Sequence, residues 1–330
     1  MSDDFAPTAS WENLRLRAEL LRRLREFFLA AGFLEVETPL LSADVVVDRH
    51  LDPLSVILPD DPAQPDVGRP MWLQTSPEGG MKRLMAAGEV PSNSAIYQVT
   101  RSFRAGERGR LHNPEFTIVE WYRRGDSMDE GMRLLSDVCE ALLDRGPAQR
   151  IRYAEAFGEY AGVDPHRASA DELAAAVRSY AITPPSGLAG EDRDGWLDLL
   201  LVSRVQPRLG KQRPTILFDF PASQAALARV RREDPPVAER FELYAHGVEL
   251  TNGYHELTDA EELRRRFAEQ NTLRVADGKL PLPLPARLLA AMDAGLPDCT
   301  GVALGFDRVA MLAAGSTSID EVTTFPIERA

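Results

Sequence analysis

The stretch IYQVTRSFRAGERGRLHNPEFTIVEWY, residues 96–122, contains two β-rich runs, Ile96 to Phe103 and Phe116 to Tyr122. Branched and aromatic side chains suit a pleated, half-buried surface, so these runs predict the paired strands of a hairpin. Their connection, from Arg104 to Glu115, is polar and dense in arginine. Ordinary hairpin loops have about two to five residues, whereas loops of around a dozen tend to carry function. An arginine-rich loop of that length points to an anionic ligand.

Working outward, Leu14, Leu21, Leu24, Phe28 and Ala31 recur at helical spacing and predict an amphipathic helix from Trp11 to Ala31. Gly32 stops it, and Phe33 to Thr38 alternates with period two as far as Pro39. Residues Pro59 to Pro70 read as a surface loop, Met71 to Thr75 as a short strand, and Ser76-Pro77-Glu78 as its end. Downstream, Leu134, Leu135, Val138 and Leu142 mark a helix, and the alanine-rich chain of about residues 150–210 reads as a helical insert. Strands are expected at Thr215 to Phe220, Phe241 to Tyr244 and Val248 to Tyr254, followed by a helix that Thr258 and Glu261 open as a capping box. Finally Gly301 to Arg308 passes from a small-residue strand into a helix.

The composition fits an ordinary soluble globular protein of one or two domains: 330 residues, 44% hydrophobic and 27% charged. A formal charge of −13 disfavours general attraction to nucleic-acid backbones or anionic lipid. Cys139 and Cys299 stand far apart, without the spacing of a disulfide framework or a zinc motif. No apolar run reaches the length of a membrane span and the first residues do not resemble a signal peptide, so a cytoplasmic protein is expected.

The P-loop, the dinucleotide glycine motif and the nucleophile elbow are absent. Phosphate must therefore be held otherwise, and Arg104 and Arg308 offer bidentate forks, the latter in the first turn of a helix. Either arginine alone reads more often as a solvated or salt-bridged turn residue. Glu249 and Glu256 are candidates for magnesium, although an odd spacing of seven would point them to opposite faces of a regular strand. A bulge at Asn252-Gly253 would restore a common face. Glu78 could receive an ammonium group or be a surface turn residue. Tyr122 could shape the same pocket or join Trp121 in the core, and His112 could act as a base or bond to backbone.

Taken in order, these segments resemble the catalytic core of the lysyl-type class II aminoacyl-tRNA synthetases over nearly the whole chain. The helix and Phe33 to Pro39 resemble motif 1, Phe103 to Tyr122 motif 2, and Gly301 to Arg308 motif 3. Glu249-Leu250-Thr251-Asn252-Gly253-Tyr254-His255-Glu256-Leu257 matches the lysyl-type segment between them. Only about ten residues precede the first helix, which leaves no room for the N-terminal tRNA-reading barrel of that family. With Ser76-Pro77-Glu78 and His112 to Tyr122, this makes the chain similar to the truncated branch, the elongation factor P (R)-β-lysine ligases. Ala303 supports that choice, because the tRNA-charging enzymes carry Gly there.

The resemblance implies one class II catalytic domain of the α+β class over residues 1–330, an antiparallel sheet flanked by helices, with the insert and without an anticodon-binding domain. It implies ATP as co-substrate, bound by Arg104, Gly106, Glu107, Asn113, Glu249, Leu250, Gly305 and Arg308, with Arg104 and Arg308 in catalytic roles. Mg²⁺ would lie on Glu249 and Glu256, and the amino acid on Ser76, Pro77, Glu78, Tyr122, Glu256 and Ala303. Motif 1 implies a homodimer, elongation factor P is the implied partner, and neither tRNA nor membrane is expected. The chain departs from the lysyl pattern at Arg104-Ala105-Gly106, where that family has Arg-Asn-Glu: either Glu107 supplies the acidic contact to adenine by a local shift, or the contact is partly lost.

Overall fold

Ser10 Oγ accepts the Asn13 N–H at 3.1 Å and opens helix α1, Trp11–Ala30, in a computed structural model that describes residues 5–87 and 94–330. Strands β1 (Leu34–Glu35), β2 (Leu41–Ser42), β3 (Ser55–Pro59) and β4 (Gly68–Leu73) follow, then helix α2 (Glu78–Ala86) and strands β5 (Ala95–Phe103) and β6 (Glu115–Arg124). Next come α3 (Met128–Leu143), β7 (Gln149–Arg152), α4 (Tyr153–Ala161), α5 (Ala170–Ser179) and α6 (Arg193–Leu200). Strands β8 (Thr215–Pro221), β9 (Val230–Arg231), β10 (Val237–Ala245) and β11 (Val248–His255) lead to α7 (Ala260–Ala276), α8 (Ala286–Gly295), β12 (Cys299–Gly305) and α9 (Phe306–Ala313). The chain divides into two compact units, Met1–Gly125 with Leu257–Ala330, and Asp126–Glu256.

In the first unit the strands run in the order β1-β5-β6-β12, and β2-β4-β3 form a separate three-stranded sheet. The predicted hairpin is present, with Ala95 opposite Arg123 and Phe103 opposite Glu115. Alternation then decides which side chains face which way. Tyr97 and Trp121 are cross-strand partners, and Phe28 of α1 lies on both rings at centroid distances of 4.4 and 5.4 Å. The helix thus covers one face. Glu120 and Tyr122, between and beyond those aromatics, belong to the other.

Several boundaries differ from the expectations. The six-residue strand after Gly32 shrinks to β1, paired parallel with Ile96 and Tyr97. The Thr38 N–H goes to the Gln98 side chain, and Pro39 has no N–H, so the ladder cannot continue. The end of the expected loop at Gly68 to Pro70 belongs to β4, where it pairs with Ile57 to Pro59. Helix α7 is capped by Asp259, not Thr258: its carboxylate accepts the N–H groups of Glu261 and Glu262 at 2.9 and 3.1 Å.

The second unit has strand order β11-β10-β8-β7, with β9 on β10. Its pairs are antiparallel except β7 with β8, just as β1 with β5 is the parallel pair of the first unit. Helices α4 to α6 pack Tyr153, Phe157, Leu173, Val177 and Leu197 with Leu217 and Phe220 of β8 into one core cluster.

Candidate active site

In the first unit, β12 runs antiparallel to β6 so that Gly301 opposes Tyr122, Ala303 opposes Glu120 and Gly305 opposes Ile118. Small residues therefore alternate along the strand facing Glu120 and Tyr122. Both of those side chains are buried, and the Tyr122 hydroxyl donates to Glu120 Oε1 at 2.6 Å. The methyl of Ala303 stands directly across from this carboxylate. Glu120 was missed in the sequence, although a lone acid inside the apolar run Ile118-Val119-Glu120-Trp121 is the kind of signal that marks a functional group.

Ser76-Pro77-Glu78 turns into α2, with the Glu78 N–H at 3.4 Å from Ser76 Oγ. Glu78 opens the helix and is not a solvated turn residue: Lys82 Nζ, one turn on and itself buried, lies 2.6 Å from its Oε1. The Phe103 N–H donates to the Gln74 carbonyl and Arg104 Nε to the Thr75 carbonyl, which ties the start of the arginine-rich loop to this segment. The Arg104 guanidinium stacks over Phe116 at 4.9 Å, and its Nη1 lies 3.8 Å from Glu107. Gly106 sits at φ +77°, a conformation that a glutamate there would adopt only with strain. The turn thus places Glu107, in place of residue 106, next to Arg104.

The loop is pinned on its far side. Asn113 is buried, donates to the Glu115 carbonyl and accepts the Ile327 N–H. Arg108 pairs with Asp320 and Glu328. Arg308, at the start of α9 just after Gly305, reaches the loop tip, with Nη2 2.7 Å from His112 Nε2 and Nε 3.3 Å from the Leu111 carbonyl. His112 therefore orients an arginine, and its ring nitrogen is not free to serve as a base.

In the second unit, β10 pairs with β11 as Arg240 with Tyr254, Glu242 with Asn252 and Leu243 with Thr251, after which the register slips so that Tyr244 meets Glu249. Leu250 is the extra residue. The bulge therefore lies at Leu250 and not at Asn252-Gly253. It restores a shared face for Glu249, Asn252, Tyr254 and Glu256, which also carries Arg240 and Glu242. Gly253 has a different reason to be glycine, since a Cβ there would come within 2.5 Å of the Phe241 ring.

A shared face is not proximity. At about 3.3 Å per residue, Glu249 and Glu256 stand roughly 20 Å apart along the strand. At that spacing each carboxylate would hold magnesium at its own end of the shared face. The acid adjoining Glu249 is Glu242, on the diagonal of the strand pair. Burial pushes the Glu242 carboxyl up to about 7, opposed by Arg240 and reinforced by the Glu249 charge. Arg240 lies 2.5 Å from Glu242 and also donates to Asn252 Oδ1, and Tyr244 donates its hydroxyl to Glu242. Glu249, half-buried beside this group, offers hard oxygen to a magnesium ion whose other ligands are water and phosphate. Among the described residues no group of three or more histidine, cysteine or acidic side chains forms a fuller cage. Glu256 is buried past the end of β11, bridged to Ala228, with the Arg229 guanidinium on its carbonyl at 2.9 Å.

The model of the class II tRNA synthetases for aspartate, lysine and asparagine (D, K and N) matches residues 4–329. The chain belongs to this family. Within it, curated relatives named elongation factor P (R)-β-lysine ligase from Salmonella gallinarum and Salmonella schwarzengrund are each 45% identical over 324 residues, covering 98% of this chain and 98% of theirs. The protein of that name from Salmonella dublin is 44% identical over the same shares. The class II fold agrees with the fold expected from motifs 1 to 3. No helix among the described residues is long and apolar enough to cross a membrane.

Proposed function

We propose that this chain is an ATP-dependent ligase that activates (R)-β-lysine as an acyl-adenylate and transfers it to a lysine of elongation factor P. The observation that carries the reading is the near full-length similarity to ligases of that name, shared by residues from end to end. In the first step a carboxylate oxygen of the amino acid attacks the α-phosphorus of ATP and pyrophosphate leaves. In the second, the ε-amine of the acceptor lysine attacks the acyl carbon, AMP leaves and the amine loses a proton.

Residue roles follow the geometry. Arg104, locked by Phe116 and Thr75, would hold the α-phosphate, and Arg308, locked by Leu111 and His112, the γ-phosphate, so that charge developing on phosphate oxygens meets donors already in place. Gly106, Glu107, Asn113, Leu250 and Gly305 would complete the nucleotide contacts. Magnesium would sit on Glu249 and on Glu256, where its charge would neutralise that of the phosphates. Glu78, Glu120 and Glu256 would receive ammonium groups, with Ser76, Pro77, Tyr122 and Ala303 shaping the surroundings. We read residues 1–330 as one catalytic domain that works in the cytoplasm as a homodimer. Exposed Leu29 and Leu34, 75% and 65% accessible on α1 and β1, support pairing with a second copy. The acidic balance supports a protein acceptor over tRNA.

The test offers purified protein ATP, magnesium and (R)-β-lysine with elongation factor P and bulk tRNA in parallel. A mass increase on the factor supports the ligase. Acylated tRNA alone would replace it with a tRNA-charging enzyme, and the absence of both products and of pyrophosphate exchange would replace it with a paralogue without chemistry.

A further inference from the structure

We propose that Arg17 of α1 is a positioning residue for Arg308, acting through Asp307; the inference rests on the reading of Arg308 as a phosphate-binding group. Asp307 is the second residue of α9 and is buried. A carboxylate in the first helical turn usually faces its own helix's N–H groups. This one turns outward: its Oδ1 lies 2.6 Å from Arg17 Nη2, and its Oδ2 accepts the Thr117 N–H of β6 at 2.9 Å. The same Arg17 nitrogen donates to Thr117 Oγ1 at 2.7 Å, which closes a three-membered ring of contacts among α1, β6 and α9. The Arg17 guanidinium also covers the Phe306 ring at 5.0 Å.

The ring bears on Arg308 because Gly305, the residue that opens α9, offers no side-chain cap. The orientation of the first turn is then set by Asp307, and Asp307 is followed directly by Arg308. Arg308 is held at its tip by Leu111 and His112 and at its base by this carboxylate. Removing Arg17 leaves a buried carboxylate without its cation, a state that the turn relieves by rotating toward water and carrying Arg308 with it. The amino-acid contacts on β6 and α2 involve neither residue. Loss of Arg17 should therefore be read out on the nucleotide alone.

The experiment is pyrophosphate exchange with the full chain, titrating ATP and the amino acid separately in Arg17→Met, Arg17→Lys and Arg308→Ala. Arg17→Met is expected to raise the KM for ATP about tenfold with the amino-acid KM within about twofold, and Arg17→Lys to restore most of the loss. If Arg17→Met does not fold cooperatively, Thr117→Val, which removes only the hydroxyl of the ring, takes its place with the same split expected at about threefold. An unchanged ATP KM in the folded variant, or both KM values rising together, would overturn the proposal. Wild-type ATP dependence in Arg308→Ala would instead remove the phosphate role on which it rests.

Discussion

Lys82 Nζ lies 2.6 Å from Glu78 Oε1, one helical turn apart, with the lysine almost completely buried. Breaking such a pair leaves a charge stranded in low dielectric, which costs about 3–5 kcal/mol. Lys82→Met should lose stability on that scale in denaturant unfolding, and the neutral double variant Glu78→Gln/Lys82→Met should regain most of it. A double variant no more stable than the single one would mean that the pairing is not what holds the turn. Amino-acid binding should fail in both.

Glu242 carries the pH dependence. Its folded carboxyl is raised to about 7 while an unfolded glutamate titrates near 4.3, so the folded state holds the extra proton. Without a cation, the stabilisation present at low pH is lost as pH rises through about 7, at up to about 1.4 kcal/mol per unit. Glu242→Gln should flatten this slope and lower adenylate formation, because the buried Arg240 beside Glu249 loses its anionic partner. Thermal melts against pH without divalent ions measure the first effect, and pyrophosphate exchange the second.

Arg308→Ala is expected to lower adenylate formation by about two to three orders of magnitude, the scale of losing one preorganised charge-stabilising donor. The unfolding midpoint should stay close to wild type, because the side chain is part-exposed. His112→Ala, which removes only the orienting partner, should cost about tenfold. Equal losses in the two variants would contradict this division of labour.

Ala303 opposes Glu120 across the strand pair, so its methyl stands beside the side chain expected to receive an amine. Ala303→Gly should shift the preference between β-lysine and α-lysine by about tenfold toward the latter, the usual worth of one carbon in a pocket. Competition for pyrophosphate exchange between the two amino acids reads this directly.

The hairpin, its loop and the strand-to-helix passage at Gly305 were legible because each depends on local pattern: period two, turn residues and arginine density. Long-range partners were not. Glu242 sits in a regular Phe-Glu-Leu-Tyr alternation, and nothing local says that it adjoins Glu249, since that depends on strand pairing and on a slip at Leu250. The need for a bulge was visible from the odd spacing of the two glutamates, but its place was not: Gly253, the obvious candidate, is small to make room for Phe241. Strand β1 came out short because Thr38 finds a side-chain acceptor 60 positions away.

The slip at Leu250 also makes chain length a functional variable. Side chains alternate strictly on either side of it, so deleting this single residue would swing Asn252, Tyr254 and Glu256 to the face occupied by Thr251 and Gly253 while Glu249 stayed in place. Conservative replacement of Leu250 should be absorbed by the core, whereas one residue more or fewer between Glu249 and Glu256 should put the two acids on opposite faces. Sequence drift in this segment is therefore expected to proceed by substitution, with insertions and deletions excluded.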